Sequence, residues 1–223
     1  MPRMPLYLKP RQVSDCCIPG RASTLYVCIL ILALLQAVSC SGEADGEDTF
    51  LPAEFEVRQD LLSAPTVIDS AFAIQTPSGW ADIEANAFDI VREAIAGDTA
   101  SFFALEPLRV VSSPAGASLI ISKLGHRRHV FDLLGEDFEQ RLKVTSRSDD
   151  VVRGTFSVDD AKVVQYRIIT PDVIAFKLFC LIAGNYYQID YLLPTGVYRD
   201  EIRKVESSIG SIRSQSERKE VTR

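Results

Sequence analysis

From residue 151 onward, apolar runs alternate with short polar breaks. The runs are Val151 to Val158, Val163 to Thr170, Val173 to Ala183 and Tyr186 to Leu193. The breaks are Asp159-Asp160, Pro171-Asp172 and Gly184-Asn185, all residue types that turn a chain. Gly184-Asn185 is a dipeptide of the kind that tight two-residue hairpins need for positive φ. Connections this short join antiparallel neighbours, so the pattern predicts a four-stranded antiparallel meander. The third run is apolar at both alternating sets of positions except for Lys177, so both faces of the sheet should be covered there. After Pro194, Tyr198, Ile202, Val205, Ile209 and Ile212 recur at helical spacing. They predict a closing helix that covers one sheet face, with Arg199, Asp200, Glu201, Arg203 and Lys204 turned outward.

The upstream signal is weaker but readable. Ala71 to Gln75 alternates and stops at Thr76-Pro77-Ser78-Gly79-Trp80, a strand running into a turn. Phe88, Val91 and Ile95 are spaced three and four apart and mark a helix face ended by Gly97. Pro107 to Val111 and Ala117 to Leu124 are β-rich runs separated by a loose Ser112-to-Gly116 loop, a second hairpin. Phe131, Leu134, Phe138 and Leu142 predict another helix, with Gly135 inside it at a cost of about 1 kcal/mol relative to Ala. The tail from Ser214 to Arg223 is polar and expected to fray. No repeat or linker interrupts residues 50–213, which read as one domain.

The first 39 residues have a different order. Arg21 precedes an eleven-residue apolar stretch, Leu25 to Leu35, and small residues follow it. Basic, apolar and small in that sequence is the layout of a secretory signal. The apolar stretch is shorter than the ~20 residues a spanning helix needs. Ala37-Val38-Ser39-Cys40 resembles the bacterial lipobox, with Ala37 where Leu is usual, and this resemblance implies cleavage before Cys40 and a diacylglycerol thioether on its sulfur. Two acyl chains at one site make an anchor that a single chain cannot, since one binds with an association constant of only about 10⁴ M⁻¹. Residues 40–49, beginning Cys40-Ser41-Gly42-Glu43, are small and acidic and read as a solvated tether. Ser41 beside the cysteine resembles the pattern of lipoproteins released to the outer membrane.

Charge and cysteine content narrow the functional classes. The chain has 223 residues, 47% of them hydrophobic, enough for one core, and a formal charge of −6. Four basic residues and one acid precede Cys40, so the mature part carries 20 Lys and Arg against 29 Asp and Glu, a formal −9. A body that acidic is repelled by nucleic acid and by anionic lipid, so the expected membrane attachment is covalent and no nucleic acid partner is expected. Of five cysteines only Cys180 falls within the domain, which leaves no intrachain disulfide there. It lies in the run Leu178-Phe179-Cys180-Leu181-Ile182 and reads as a small buried hydrophobe.

The order of elements resembles a known family. A strand, then Pro77-Ser78-Gly79-Trp80, a helix, an antiparallel meander, and a final helix after Tyr186-Tyr187-Gln188-Ile189-Asp190-Tyr191 resembles the PsbP/Mog-like proteins. The matching stretches are Phe72 to Trp80 and Tyr186 to Ile212, while the middle from Asp98 to Asp150 agrees only in general pattern. The resemblance implies an α+β fold, an α/β/α sandwich with a central antiparallel sheet and the C-terminal helix on one face. It also implies members that dock to partners rather than perform chemistry.

Candidate chemistry is sparse. Trp80, the sole tryptophan, buries about 150–250 Å² if enclosed and reads as a core cornerstone positioned by Pro77 and Gly79. Lys123, His126, Arg127, Arg128 and His129 form the one concentrated basic stretch, a candidate surface for an anion or an acidic partner that otherwise reads as a solvated loop. His126 and His129 have zinc-like spacing, but a structural site wants four ligands, and Asp132 or Glu136 would have to complete it. No nucleophile elbow, phosphate-binding glycine loop, Cys-x-x-Cys pair or His-Glu-x-x-His helix occurs, and no cofactor is expected. The leading expectation is therefore a non-catalytic, lipid-anchored envelope module that binds an envelope protein partner. Two alternatives stand beside it. One is a carrier or sensor of a small apolar ligand, suggested by Phe176, Phe179, Tyr186, Tyr187 and Tyr191 near one hairpin. The other is a hydrolase without a recognisable motif.

Overall fold

A computed structural model of the chain describes residues 49–97, 102–125 and 129–215; the leader and Cys40 lie outside them. Strands β1 (Leu62–Ile68), β2 (Phe72–Pro77) and β3 (Ala81–Asp82) come first, followed by helix α1 (Ala85–Gly97). Strands β4 (Leu105–Ser112) and β5 (Ser118–Leu124) lead to helix α2 (Glu136–Ser146). The meander follows as β6 (Val151–Val158), β7 (Ala161–Ile169), β8 (Val173–Ile182) and β9 (Asn185–Pro194), then helix α3 (Tyr198–Gly210) and a short β10 (Arg213–Ser214). The class is α+β. A seven-stranded sheet in the order β3-β4-β5-β9-β8-β7-β6 stands against a three-stranded sheet in the order β1-β2-β10.

The meander folds as its pattern predicts, and β8 lies between β7 and β9 in unbroken antiparallel register. Its side chains divide between two cores. Phe176, Leu178, Cys180 and Ile182 face a core shared with Phe72, Ile74, Trp80, Tyr187, Tyr191, Val205 and Ile209. Phe179 faces the opposite core, with Phe103, Leu134, Phe138, Val164 and Tyr166. Each fully buried large apolar side chain contributes about 1.5–3 kcal/mol, so both faces of this strand drive the packing.

Coverage of the first face differs from the expected single helix layer. Helix α3 shares that face with the three-stranded sheet, and the two are joined by serines. Ser208 Oγ donates to the Gln75 carbonyl at 2.6 Å and also bonds the Tyr191 hydroxyl at 2.8 Å. Strand β1 escaped the sequence reading because Pro65 and the polar Ser63 and Thr66 interrupt its alternation, and Pro65 suits an edge strand. The polar tail also begins later than Ser214. Arg213 and Ser214 pair with Ala73 and Phe72 of β2, and Gln215 N donates to the Ala71 carbonyl at 2.8 Å.

Three local expectations need correction. Gly135 does not sit inside a helix: it is the extended residue before α2, while Phe131–Leu133 forms a separate 3-10 turn. The Leu134 carbonyl is drawn to the sheet instead, accepting from the Tyr166 hydroxyl at 2.7 Å and Arg153 Nε at 3.0 Å. Glu136, Asp137 and Glu139 then occupy the first turn of α2, where carboxylates favour a helix N-terminus. The hairpin between β8 and β9 turns on Ala183 and Gly184, both at positive φ (49° and 78°), one residue earlier than Gly184-Asn185. Asn185 is already in the ladder opposite Ile182. Finally, Glu201 points inward rather than outward. It lies three residues after Tyr198 and four before Val205, on the buried stripe of α3, and accepts from Trp80 Nε1 at 2.9 Å and Lys204 Nζ at 3.0 Å.

Two substitutions test these packing claims. Ala183→Asn places a residue that tolerates the left-handed region in the tight turn and should raise stability by about 0.5–1 kcal/mol, read as a higher urea midpoint. Gly210 ends α3 against the segment before β1, where an added Cβ would meet Phe55 Cβ and, at 2.8 Å, Val57 Cγ2. Gly210→Ala should cost about 1–3 kcal/mol in the same titration, because backbone rather than a flexible side-chain tip has to move.

Candidate functional site

The face of the large sheet that α2 covers is incompletely filled. Helix α2 turns Phe138 and Leu142 toward the sheet, and the exposed Arg141 and Thr145, three or four residues away, border the same space. Phe102, Phe103 and Leu105 wall the space from the approach to β4, and Ile95 of α1 closes another side. Between these groups and the sheet lies a partly open cavity of about 320 Å³, within the range typical of small-ligand sites. Its lining is mainly apolar.

The floor is polar at one place. Lys177 of β8 and Asp190 of β9 are direct cross-strand partners, joined Nζ to Oδ1 at 2.8 Å. Gln188 Nε2 donates to the other carboxylate oxygen, Oδ2, at 2.6 Å. Both charged side chains are largely withdrawn from water, with side-chain exposures of 24% and 13%, so each ion needs its partner. Phe179, opposite Gln188 in the ladder, continues the floor as an aromatic surface and packs on Phe103 and Phe138 at centroid distances of 5.5 and 5.4 Å. At the cavity edge the exposed Arg141 guanidinium lies 4.2 Å from the Phe102 ring centroid, a cation–π contact.

Chemically, this arrangement suits binding. Its one carboxylate is held on both oxygens, and among the described residues no three His, Cys, Asp or Glu side chains converge as metal ligands. Cys180 lies on the opposite face, fully buried, where desolvation pushes its thiol well above the usual range.

The residues singled out in the sequence go elsewhere. Cys40, His126, Arg127 and Arg128 lie outside the described residues. Lys123 Nζ holds Asp69 Oδ2 at 2.6 Å across to the β1–β2 turn, and Tyr187 donates to the same oxygen at 3.0 Å. These two donors, Lys123 first, hold the Asp69 carboxyl below the usual carboxylate range, and burial pushes the Tyr187 phenol up. His129 Nδ1 lies 3.5 Å from Asp132 Oδ2 in an exposed pair. Pro77 and Gly79 form the turn expected of them: Trp80 N donates to the Pro77 carbonyl at 3.2 Å, and Gly79 takes φ 79°. That turn delivers Trp80 into the first core, with its ring edge toward Tyr191.

Of the aromatic residues grouped near the β8–β9 hairpin, only Phe179 lines the cavity. Phe176, Tyr187 and Tyr191 belong to the opposite core, and Tyr186 packs on Phe131. The sequence reading missed Phe102, Phe103, Arg141 and Thr145. For Arg141 and Thr145 a signal existed, since they share the helical stripe of Phe138 and Leu142. Their polarity removed them from an apolar template.

No family model and no curated protein matches the chain. Among solved structures it is similar to the solution structure of cyanobacterial PsbP (CyanoP) from Synechocystis sp. PCC 6803, at 14% identity and a TM-score of 0.43, over 73% of this chain and 97% of that one. No residue role or partner transfers at that distance.

The floor pair makes a direct prediction. Lys177→Met should leave Asp190 with Gln188 alone and cost about 1–3 kcal/mol in a urea titration, less than a fully buried pair because water reaches part of it. Adding Asp190→Leu to that variant should recover part of the loss, and a double-mutant cycle reads the coupling.

Proposed function

We propose that this chain is an exported, lipid-anchored, non-catalytic binding module of the bacterial envelope whose domain holds a small, mainly apolar ligand. The cavity beneath α2 is the observation that carries the ligand reading. A mainly apolar space of about 320 Å³ with a few polar groups at fixed positions has the composition of a binding pocket. Lys177, Asp190 and Gln188 already satisfy one another, so an apolar guest strands no charge on the floor. The sequence supports the anchor, through the leader and Cys40, and the acidic tether through residues 40–49. Its membrane is the cell membrane or the outer membrane, with the domain on the extracytoplasmic side. No helix among the described residues is long and apolar enough to cross a bilayer.

Both parts can be tested. Mass spectrometry of the protein from membranes should find Cys40 as the first residue, carrying diacylglycerol, and Cys40→Ser should release the domain from the membrane fraction. The neutral fluorophore N-phenyl-1-naphthylamine should brighten on binding the full-length chain. Leu142→Trp, which fills the cavity, and Thr145→Trp, which covers it from an exposed position, should each abolish that gain while the unfolding midpoint holds. Fluorescence unchanged by either variant would place the probe elsewhere and remove the cavity as the site.

A further inference from the structure

Resting on the cavity as the ligand site, we infer that it selects an amphiphilic anion: a compact aromatic monocarboxylate with its ring among the phenyl groups and its acid at Arg141. The lining holds two cations, Lys177 and Arg141, and one carboxylate, Asp190. Lys177 is matched by Asp190 at 2.8 Å, which leaves Arg141 as the uncompensated charge among the described residues of the lining. Among the described residues Arg141 has no carboxylate partner, and its guanidinium is placed at the cavity edge by the Phe102 ring 4.2 Å away. A planar guanidinium over an aromatic face keeps its N–H edge available for a carboxylate.

The inner surface sets the body of the ligand. Phe102, Phe103, Phe138 and Phe179 form a packed aromatic wall of the cavity, which suits a ring more than an extended chain. A cationic amphiphile fits poorly, because both oxygens of Asp190 are engaged by Lys177 and Gln188 and no other carboxylate lines the space among the described residues. A purely polar anion would gain nothing from the apolar wall.

Three probes of one shape but different charge separate the possibilities: 4-phenylbutyrate, 4-phenylbutyramide and 4-phenylbutylamine, titrated calorimetrically into the full-length chain at neutral pH. The acid should bind roughly twofold to fivefold tighter than the amide, the gain of one partly exposed ion pair, and the amine should bind weakest. Arg141→Gln should bring the acid to the level of the amide and leave the amide unchanged, while Arg141→Lys should keep part of the preference. Added salt should erode the advantage of the acid alone. Equal binding of all three, abolished by Leu142→Trp, overturns the anion selection and leaves the cavity as a ligand site. Preference for the amine, or an acid preference that survives Arg141→Gln, also overturns it. If none of the three binds, or if binding persists in the cavity-filled variant, both this inference and the cavity reading fall.

Discussion

Strand β8 carries large apolar side chains on both faces, and removing water from both is the constraint around which the rest of the chain is arranged. Leu178 and Phe179 are adjacent in sequence yet belong to different cores, as the two-residue period of a strand requires. Neither face can be left to solvent, so each recruits a separate set of elements. The small sheet and α3 close one side, and α2 with the Phe102-Phe103 segment closes the other. The short hairpins that flank β8 hold its register, so the division of side chains between the two cores does not slip.

The two closures differ in quality, and that difference produces the site. On the first face, Ser208 and Ser211 of the α3 region bond directly to Gln75 of β2, Glu201 reaches Trp80, and Ser208 also bonds the Tyr191 hydroxyl of β9, so helix, small sheet and large sheet are locked together. On the second face, the start of α2 is pinned through the Leu134 carbonyl, and Phe138 seals the nearby aromatic cluster. Beyond that point α2 places the exposed Arg141 and Thr145 at the rim of the gap, side chains that do not fill apolar space as Leu or Phe would. Below them, Lys177 and Asp190 occupy sheet positions where an apolar pair would pack more cheaply. The gap is therefore polar on its floor and at its rim and apolar between them. A domain that needed only stability would gain by filling it.

The gap that results is lined mainly by apolar side chains, with the Lys177–Asp190 pair on its floor and Arg141 at its edge. Among the described residues that line it, Arg141 is the cation without a carboxylate partner, in a chain whose acids outnumber its bases.

The sequence by itself determined what depends on neighbours along the chain. The meander, the stripe of α3, the turn that positions Trp80 and the hydrophobic division of β8 are all written in two-residue or three-to-four-residue periods. Where local signals competed with distant partners, tertiary structure decided. Leu134 left the predicted helix because Tyr166 and Arg153 claimed its carbonyl, and Glu201 turned inward because the Trp80 indole, 121 residues away, needed an acceptor. Strand β1 formed despite Pro65 because β2 offered a partner. The cavity was least legible of all: its lining runs from Ile95 to Asp190, and an empty volume is a property of how α2 settles on a sheet, not of any one residue. Periodicity records which face of an element avoids water; only packing decides whether two such faces meet completely.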